Sequence, residues 1–330
     1  MKAVVSTGDG GIALKTVAKP RPGPTQVLIK IFAAAQNPPD HMKLGRRTEG
    51  VISEQDFAGR MEALGAEVPT RLRYVGERVA GFLNGGVDEE MGGAFGEYCV
   101  ADAHVLISLP ESSNYEDAPG LGLAAFTAAQ ALWISLEPGL PTLTVPAATP
   151  FPLMTSTDSG LGWKLGGRTV HIQLARLSGM EVITTASSRN HALVKGLGAD
   201  VVLDYRDPEV STKIRAHTGN KLAHAVDCIS DATTTRQVAD TIGEGGGFVA
   251  LVLGEPVDVP GVHAQFSLVY TLLGKASECP MPYAADPNHY EFGKTTAILF
   301  TDLLHNGKLK TTPVKLVPNG LNDLGNGLNT

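Results

Sequence analysis

The strongest constraint on the fold is an alternation of short apolar runs with helix-like stretches in the second half of the chain. Unbroken apolar runs of this length are typical of parallel strands that are buried on both faces. They fall at Glu181–Thr185, Val201–Leu203, Ala225–Cys228 and Gly247–Leu253. The predicted helices lie beside them, at Thr169–Leu177, Asn190–Leu197, Val210–His217 and Thr233–Ile242. This succession predicts an α/β fold with an open, doubly wound parallel sheet.

The first third of the chain is instead rich in β-structure signals. Alternating or β-branched runs between Gly, Pro and Asp turns predict strands at Lys2–Val5, Gln26–Ile31 and Gly96–Val100. Gly76–Phe82 (GERVAGF) is typical of a strand in a small closed barrel, with glycine at its corners. The Ala- and Leu-rich segment Ala118–Trp133 predicts a buried helix that joins two domains, and His289–His305 predicts a further helix.

Composition excludes several classes of function. A chain of 330 residues, 43% of them hydrophobic, is long enough for two domains with filled cores. Its net charge is −7 without a basic run, so we expect no nucleic-acid or anionic-membrane partner. The three cysteines, Cys99, Cys228 and Cys279, are far apart and odd in number, which favours a reduced compartment. With no signal-peptide pattern after Met1 and no long apolar run, a cytoplasmic protein is expected.

A glycine-rich segment after strand-like Phe151–Met154 is the candidate phosphate-binding loop. It reads Gly160-Leu-Gly162-Trp-Lys-Leu-Gly166-Gly167 and precedes a predicted helix. Glycines there let the backbone approach a pyrophosphate, whose charge the free N–H groups of a helix start favour. The spacing is one residue longer than the usual fingerprint, so an ordinary glycine-rich connection is the alternative.

The next predicted strand indicates which dinucleotide would bind. It ends in Ser187-Ser188-Arg189, without the acidic residue that would accept from the ribose hydroxyls of NAD. Small hydroxyls followed by a guanidinium suit a 2′-phosphate, which favours NADPH. The alternative is that Arg189 simply begins a solvated helix. Tyr205, after the third strand, is a candidate to cover the same phosphate or the adenine edge.

Zinc ligands are not apparent. No two cysteines lie within fifty residues of each other, no Gly-His-Glu triplet occurs, and the histidines are scattered. Without a Lewis acid to polarise an alcohol, hydride transfer to an already activated alkene is the easier chemistry. Such a reaction needs a donor for the developing enolate oxygen and a proton for the α-carbon.

Motifs in a fixed order along most of the chain resemble the fungal trans-acting enoyl reductases of polyketide biosynthesis. That group is a zinc-free, TOXD-like branch of the medium-chain dehydrogenase/reductase family, related to quinone oxidoreductases. The motifs are Asn37-Pro-Pro-Asp40, Asp56-Phe-Ala-Gly59, GERVAGF, GAFGEYCV, Gly120–Thr127, LDYRDP, AVDCIS, VYTLLGKA and HYEFGK.

The resemblance implies an architecture and partners. It implies a GroES-like, barrel-type substrate domain from residues 1–118 and 260–330, with a Rossmann-type NADPH-binding domain at 119–259 between them. It implies as substrate an α,β-unsaturated acyl thioester on the acyl carrier of a partner polyketide synthase. Related reductases are monomers or homodimers. The chain stops at Thr330, so the substrate domain is expected to be short at its C-terminal end.

The resemblance also implies catalytic residues. Thr127 falls in the segment near the nicotinamide, where a hydroxyl could bond substrate or cofactor; bonding back to its own helix is the alternative. Asn37 and Asp40 are expected to hold the loop bordering the substrate cleft, or simply to form a turn. The family lysine falls at the position of Met42, and Lys43 follows it; Lys43 could reach the same space, and a solvated lysine is the alternative. Lys43, Thr127 or water would donate the proton.

Two departures keep other functions open. The glycine segment is longer than in the family, and Arg168 stands where its last glycine is expected. The residues therefore leave two alternatives to a carrier-dependent enoyl reductase. One is a free-standing quinone or enone reductase. The other is a non-redox protein on the same scaffold, either cyclase- or isomerase-like or an inactive binding module.

Overall fold

The computed structural model describes residues 1–37, 48–85, 92–136, 140, 142–143, 151–156, 165–253, 258–278, 281–311 and 314–324. The chain divides into two compact units. Unit 1 comprises Met1–Leu123 and Tyr270–Thr330, and unit 2 comprises Ala124–Val269. The sequence places residues 260–330 in the substrate domain, whereas Val262–Phe266 pair within the sheet of unit 2. That strand alternates between half-buried and exposed residues, so it lacks the unbroken apolar run that marks its neighbours.

Unit 1 is built on antiparallel strands. Its strands are β1 Lys2–Ser6, β2 Ile12–Thr16, β3 Gln26–Ala35, β4 Asp56–Leu64, β5 Arg78–Phe82, β6 Tyr98–Asp102 and β7 Ile107–Ser108. Strands β3 to β7 form a five-stranded sheet in the order β6-β3-β4-β5-β7, and β1 pairs with β2 as a hairpin. Isolated bridges from Ala3 to Gly96 and from Val5 to Ile52 join the hairpin to neighbouring segments. The β architecture predicted for this part of the chain is observed.

One face of this sheet forms the larger core of unit 1, and on the other face Ala58 and Ala80 belong to a smaller buried cluster. Side chains alternate across a strand, so every second residue points inward. The buried cluster includes Val27, Ile29, Phe57, Met61 and Val79. The residues between them, such as Lys30 and Arg60, therefore point to the opposite face.

The long helix near the end of unit 1 begins two residues before the predicted start. It covers Pro287–His305 and is called α6 here. Asp286 accepts hydrogen bonds from the backbone N–H groups of Asn288 and His289, and proline follows directly. An aspartate cap with proline at the first helical position fixes a helix start, because both groups leave no orphaned donor there.

Unit 2 contains the predicted doubly wound sheet. Its strands are β8 Pro152–Ser156, β9 Glu181–Thr185, β10 Val201–Leu203, β11 His224–Asp227, β12 Gly247–Leu251 and β13 Val262–Phe266. They are all parallel and run in the order β10-β9-β8-β11-β12-β13. The strand order reverses direction between β8 and β11. This is the Rossmann-type topology expected from the sequence.

Within the described residues, five α-helices precede α6. They are α1 Gly122–Gln130, α2 Leu165–Leu177, α3 His191–Gly196, α4 Val210–His217 and α5 Ala232–Ala239, as far as the described residues extend. Helix α1 is extended by a π-helical turn, Ala131–Ser135. Several predicted boundaries differ; those nearest the cofactor-binding candidates are β8, which continues past Met154 to Ser156, and α2, which begins at Leu165 rather than Thr169. Within the described residues, no helix is long and apolar enough to cross a membrane.

Candidate functional site

The reversal of strand order in unit 2 identifies the edge where a ligand would bind. In open parallel sheets, ligands bind beyond the carboxyl ends of the strands, at the point where the order reverses. Here the two strands that flank this point are β8, which ends at Ser156, and β11, which ends at Asp227. Their last residues pair directly in register.

Asp227 organises this edge of the sheet. Its side chain is fully buried, and its Oδ1 accepts hydrogen bonds from Ser156 Oγ at 2.8 Å and from the Ile229 N–H at 2.9 Å. Its Oδ2 accepts from the hydroxyls of Thr234, at 3.0 Å, and Thr235, at 2.9 Å. A buried carboxylate with four donors is electrostatically satisfied and holds its neighbours in place.

The Asp227 network thus positions the strand ends rather than moving a proton. Ser156 Oγ also accepts from the Cys228 N–H at 3.0 Å, so one hydroxyl ties together the ends of both strands. Sequence reasoning missed Asp227 as an organising residue. The signal was available, because an acid stands at the end of the apolar run in AVDCIS.

Ser187, Ser188 and Arg189 follow β9 at the same edge. Ser187 is buried, and its Oγ accepts a 3.4 Å hydrogen bond from Asn190 Nδ2. Residues Ser188–Asn190 form a 3₁₀ turn that leaves the side chains of Ser188 and Arg189 exposed. A hydroxyl and a guanidinium are therefore presented to solvent where the adenine ribose of a dinucleotide lies in this topology.

Tyr205 follows the neighbouring strand β10. Parallel strands end at the same edge, so Tyr205 and the Ser187–Arg189 segment lie at adjacent strand ends, joined by the bond from the Ala186 N–H to Leu203 O at 2.9 Å. Arg206 was missed from the sequence. Its Nε donates to Tyr205 Oη at 3.3 Å, and its guanidinium lies 5.2 Å from the Tyr205 ring centre. The donor set at this edge is therefore cationic and hydroxyl-rich, which fits a phosphate.

The predicted glycine loop is described only in part. Gly160 and Gly162 lie outside the described residues. Gly166 and Gly167 lie in the first turn of α2, not in a loop before the helix. The first N–H groups of an α-helix have no partner within the helix, so backbone donors at these two glycines remain suited to an anion.

In unit 1, Asn37 contacts two buried carboxylates. Its Nδ2 donates to Glu54 Oε1 at 3.0 Å and to Asp56 Oδ2 at 2.9 Å. Both acids are buried at the start of β4. Asn37 therefore does more than form a turn: it fixes the chain immediately before residues 38–47 to the base of the sheet. Asp40 and Lys43 lie outside the described residues.

Glu54, which sequence reasoning missed, has an unusual backbone. Its φ is +83°, in the left-handed region that costs a non-glycine residue about 1–3 kcal/mol. Gly85 packs so closely that a Cβ there would stand 1.8 Å from Glu54 O. The same oxygen accepts from the Ala94 N–H at 3.1 Å. The carbonyl of Glu54 is thus held between two neighbouring backbone segments. In the sequence Glu54 stands between Ser53 and Gln55, so no local pattern marks it.

Asp56 also caps helix α1. Its Oδ1 accepts a 2.5 Å hydrogen bond from the Leu123 N–H in the first turn. A carboxylate at a helix N-terminus satisfies an orphan donor and interacts favourably with the helix dipole. The close approach needs glycine at position 122, since a Cβ there would stand 2.4 Å from Asp56 Oδ1.

Thr127 lies one turn further along α1. Most of this helix is buried, but Thr127 is half-buried, on the less covered face with Leu123 and Ala124. Other helical hydroxyls bond back to their own helix, as Thr301 does to Ala297 O. Among the described residues, Thr127 Oγ1 has no such bond. The Thr127 hydroxyl is thus available to bond a ligand, which argues against the alternative that it bonds back to the backbone of its own helix.

Thiols and metal ligands are not part of this geometry. Burial raises the pKa of the Cys99 thiol, which makes it inert in the folded chain. Cys228 Sγ lies 3.6 Å from His171 Nδ1, both buried. Within the described part of the chain, no group of three or more His, Cys, Asp or Glu residues is arranged to hold a metal ion.

Comparisons with known proteins agree with both units. A family model described as alcohol dehydrogenase GroES-like domain matches residues 23–111, and one described as zinc-binding dehydrogenase matches residues 169–274. Trans-enoyl reductase traG of Penicillium crustosum is 32% identical over 345 residues, covering 99% of this chain and 92% of that protein.

Two solved structures have the same fold. CurK enoyl reductase matches with a TM-score of 0.76 at 15% identity, covering 99% of this chain and 94% of that one. A mycobacterial protein complexed with NADPH matches with a TM-score of 0.74 at 22% identity, covering 100% and 95%. The fold and the matched models define a medium-chain dehydrogenase/reductase. Within that class, the chain belongs to the trans-enoyl reductase family.

Proposed function

We propose that this protein is an NADPH-dependent enoyl reductase that acts on an α,β-unsaturated acyl thioester carried by a polyketide synthase. The observation that carries the proposal is the family membership over nearly the full chain, 32% identity across 99% of its length. The switch-point edge of unit 2 supports it with a donor set suited to a phosphorylated dinucleotide.

Eight residues are assigned to the cofactor. Ser187, Ser188 and Arg189 would bind the 2′-phosphate, with Tyr205 beside it, because no acid follows β9 to repel the charge. The backbone of Gly166 and Gly167 would donate to the pyrophosphate, together with Gly160 and Gly162. NADPH, when bound, supplies the hydride that adds to the β-carbon of the enoyl group.

The chain's own residues supply the rest of the chemistry. Thr127 would donate a hydrogen bond to substrate or cofactor from its unengaged hydroxyl, which would stabilise negative charge developing on the thioester oxygen. Asn37 would act indirectly, by fixing the chain before residues 38–47. Lys43, Thr127 and water are the three candidates to donate the α-carbon proton.

Zinc independence and a cytoplasmic location are also proposed. The ground for the first is chemical: the cysteine and histidine positions do not have the spacing of zinc ligands. Elemental analysis of the active, dialysed protein would test it. For the second, the absence of clustered basic residues and the odd, scattered cysteines are the support, and cell fractionation would be the test.

Cofactor titration tests the dinucleotide site. We expect micromolar affinity for NADPH and much weaker binding of NADH. Arg189→Gln should weaken NADPH binding by about 2 kcal/mol, roughly thirtyfold, and leave NADH binding unchanged. Lys195→Gln is the matched control, since Lys195 is an exposed cation on the adjoining helix α3. Equal loss of both cofactors would contradict the assignment of Arg189 to the phosphate.

Turnover tests the reaction. The wild-type protein should oxidise NADPH with crotonyl-pantetheine or a crotonyl-loaded acyl carrier protein, and Thr127→Val should reduce kcat without changing NADPH affinity. Turnover of small quinones at a higher kcat/KM than either thioester would favour the quinone reductase alternative. NADPH binding without any turnover would favour the inactive binding module.

A further inference from the structure

A row of cations crosses the outer face of the five-stranded sheet in unit 1. Lys30 on β3 pairs directly with Arg60 on β4, and Arg60 pairs directly with Arg78 on β5. Directly opposed residues of neighbouring strands project from the same face. Lys30, Arg60 and Arg78 thus form one line across three strands, which we call the cationic row.

The cationic row is expected to lower the stability of the sheet. Like charges directly opposite each other destabilise a sheet. Among the described residues, no carboxylate lies within ion-pair distance of any member of the row. The nearest ion pair at its edge joins Lys19 to Glu62, 4.0 Å apart, and Lys19 lies over the ring of Tyr98, which pairs with Lys30 on β6. The row is therefore not neutralised within this part of the chain.

Two aromatic rings lie against the cationic row. Phe32 is two residues after Lys30 on β3, so alternation along the strand places its ring on the same outer face. It stacks on Tyr115 with centroids 4.7 Å apart and is 48% exposed. The Lys30 ammonium lies 5.7 Å and the Arg60 guanidinium 5.8 Å from the Phe32 ring centre, and Arg78 lies 4.0 Å from that of Tyr115. Cation–π contacts offset part of the mutual repulsion and hold the charges in place.

Arg60 and Phe32 are exposed, whereas Lys30 is half-buried. Arg78 is also half-buried, and its guanidinium donates to Ser113 O. Exposed arginine and aromatic side chains in one patch are typical of the centre of a protein interface. The chain as a whole carries a net charge of −7, so an acidic partner would be repelled from most of its surface. The cationic row is a local exception. Complementary charge at such a patch sets both the association rate and the orientation of docking.

The length of the cationic row matches about two turns of an α-helix in a partner. Neighbouring strands are about 4.8 Å apart, so three opposed residues span about 10 Å. A helix rises about 1.5 Å per residue, so carboxylates at positions i, i+3 or i+4, and i+7 cover the same length. We propose that the cationic row docks an acidic helix of the carrier domain that presents the acyl thioester. This inference rests on the proposed function and adds to it the surface that recognises the carrier.

The test compares the reduction of one acyl group, crotonyl, on an acyl carrier protein and on pantetheine. Lys30→Glu with Arg60→Glu should lower kcat/KM for a crotonyl-loaded acidic acyl carrier protein at least tenfold, through KM, and change kcat/KM for crotonyl-pantetheine less than twofold. The double variant Lys30→Gln with Arg60→Gln removes the charges without reversing them and should show a smaller loss of kcat/KM on the carrier substrate only. It keeps the test valid if the charge-reversed variant misfolds. Lys308→Glu, an exposed cation elsewhere in unit 1, is the control and should leave both substrates unaffected.

Direct binding separates this inference from the proposed function. Fluorescence anisotropy should show that the labelled carrier protein binds wild type more tightly than the double variant, and that the difference shrinks at high salt. A carrier with glutamates changed to lysines should recover binding to the Lys30→Glu, Arg60→Glu protein. Equal loss on both substrates, or unchanged carrier binding, would overturn the docking site. Failure of wild type to reduce crotonyl-pantetheine would overturn the proposed function, whatever the binding result.

Discussion

Asn37 donates a 2.9 Å hydrogen bond to Asp56, and the other carboxylate oxygen of Asp56 accepts from the first turn of α1 at Leu123. One buried acid therefore joins the loop before residues 38–47 to the start of the helix that carries Thr127. Within unit 1, Asp56 is thus the group that both Asn37 and the first turn of α1 contact, although the sequence assigned it only to a family motif.

The first prediction concerns Asn37. Asn37→Leu keeps the approximate volume but removes a donor from two buried carboxylates, Glu54 and Asp56. Because buried acceptors lose free energy when a donor is removed, we expect the free energy of unfolding to fall by about 2 kcal/mol. Urea denaturation measures it. Asn114→Leu is the control, since Asn114 donates to Asp117 at an exposed site and should cost less than about 0.5 kcal/mol. If Asn37→Leu lowered the free energy of unfolding as little as Asn114→Leu does, a structural role for Asn37 would be refuted.

The second prediction concerns Gly122. A methyl group there would stand 2.3 Å from Gly81 O and 2.4 Å from Asp56 Oδ1, so the backbone or the cap must move. Gly122→Ala should destabilise the protein by roughly 2–4 kcal/mol, whereas Gly196→Ala should stabilise it by about 0.5 kcal/mol. The contrast arises because a Cβ at Gly196 meets nothing within 4 Å. Thermal unfolding of the two variants checks the opposite signs.

Sequence patterns predicted the nucleotide-binding fold more fully than the site. Unbroken apolar runs recovered β9 and β10 as they stand: β9 is mostly buried, and β10, although a half-buried edge strand, is entirely apolar. The strand β13 was missed, since its half-buried residues alternate with exposed polar ones and leave no such run. Glu54 was missed for another reason: its positive φ and its close contact with Gly85, distant in sequence, are recorded by no local pattern. The cationic row was missed for a similar reason, because the register of three strands brings together residues that are distant in sequence.

The third prediction concerns Asp227. Asp227→Ala removes the acceptor of four hydrogen bonds that hold the ends of β8 and β11 together. We expect a loss of about 3 kcal/mol in the free energy of unfolding and weaker NADPH binding in parallel. Asp231→Ala is the matched control, because it removes the exposed cap of α5 and should cost about 1 kcal/mol without affecting the cofactor. NADPH affinity unchanged in Asp227→Ala would separate this network from the cofactor site.

The last prediction is a pH dependence that originates at His224. This residue is buried at the start of β11, between the rings of Phe151, 5.0 Å away, and Phe248, 5.9 Å away. Neither ring nitrogen has a hydrogen-bond partner among the described residues. Desolvation therefore lowers the pKa of His224 from its ordinary value of 6.5.

The sign follows from the protons bound in each state. As pH falls below 6.5, the unfolded chain binds a proton at His224 that the folded chain does not, so the free energy of unfolding decreases. His224→Phe keeps the aromatic stack and removes the titrating group, so its stability should fall less between pH 7 and pH 5. Urea denaturation across this range measures the difference. His305→Gln, at the exposed end of α6, should follow the wild-type curve, and a His224→Phe curve parallel to wild type would show that the acid sensitivity arises elsewhere.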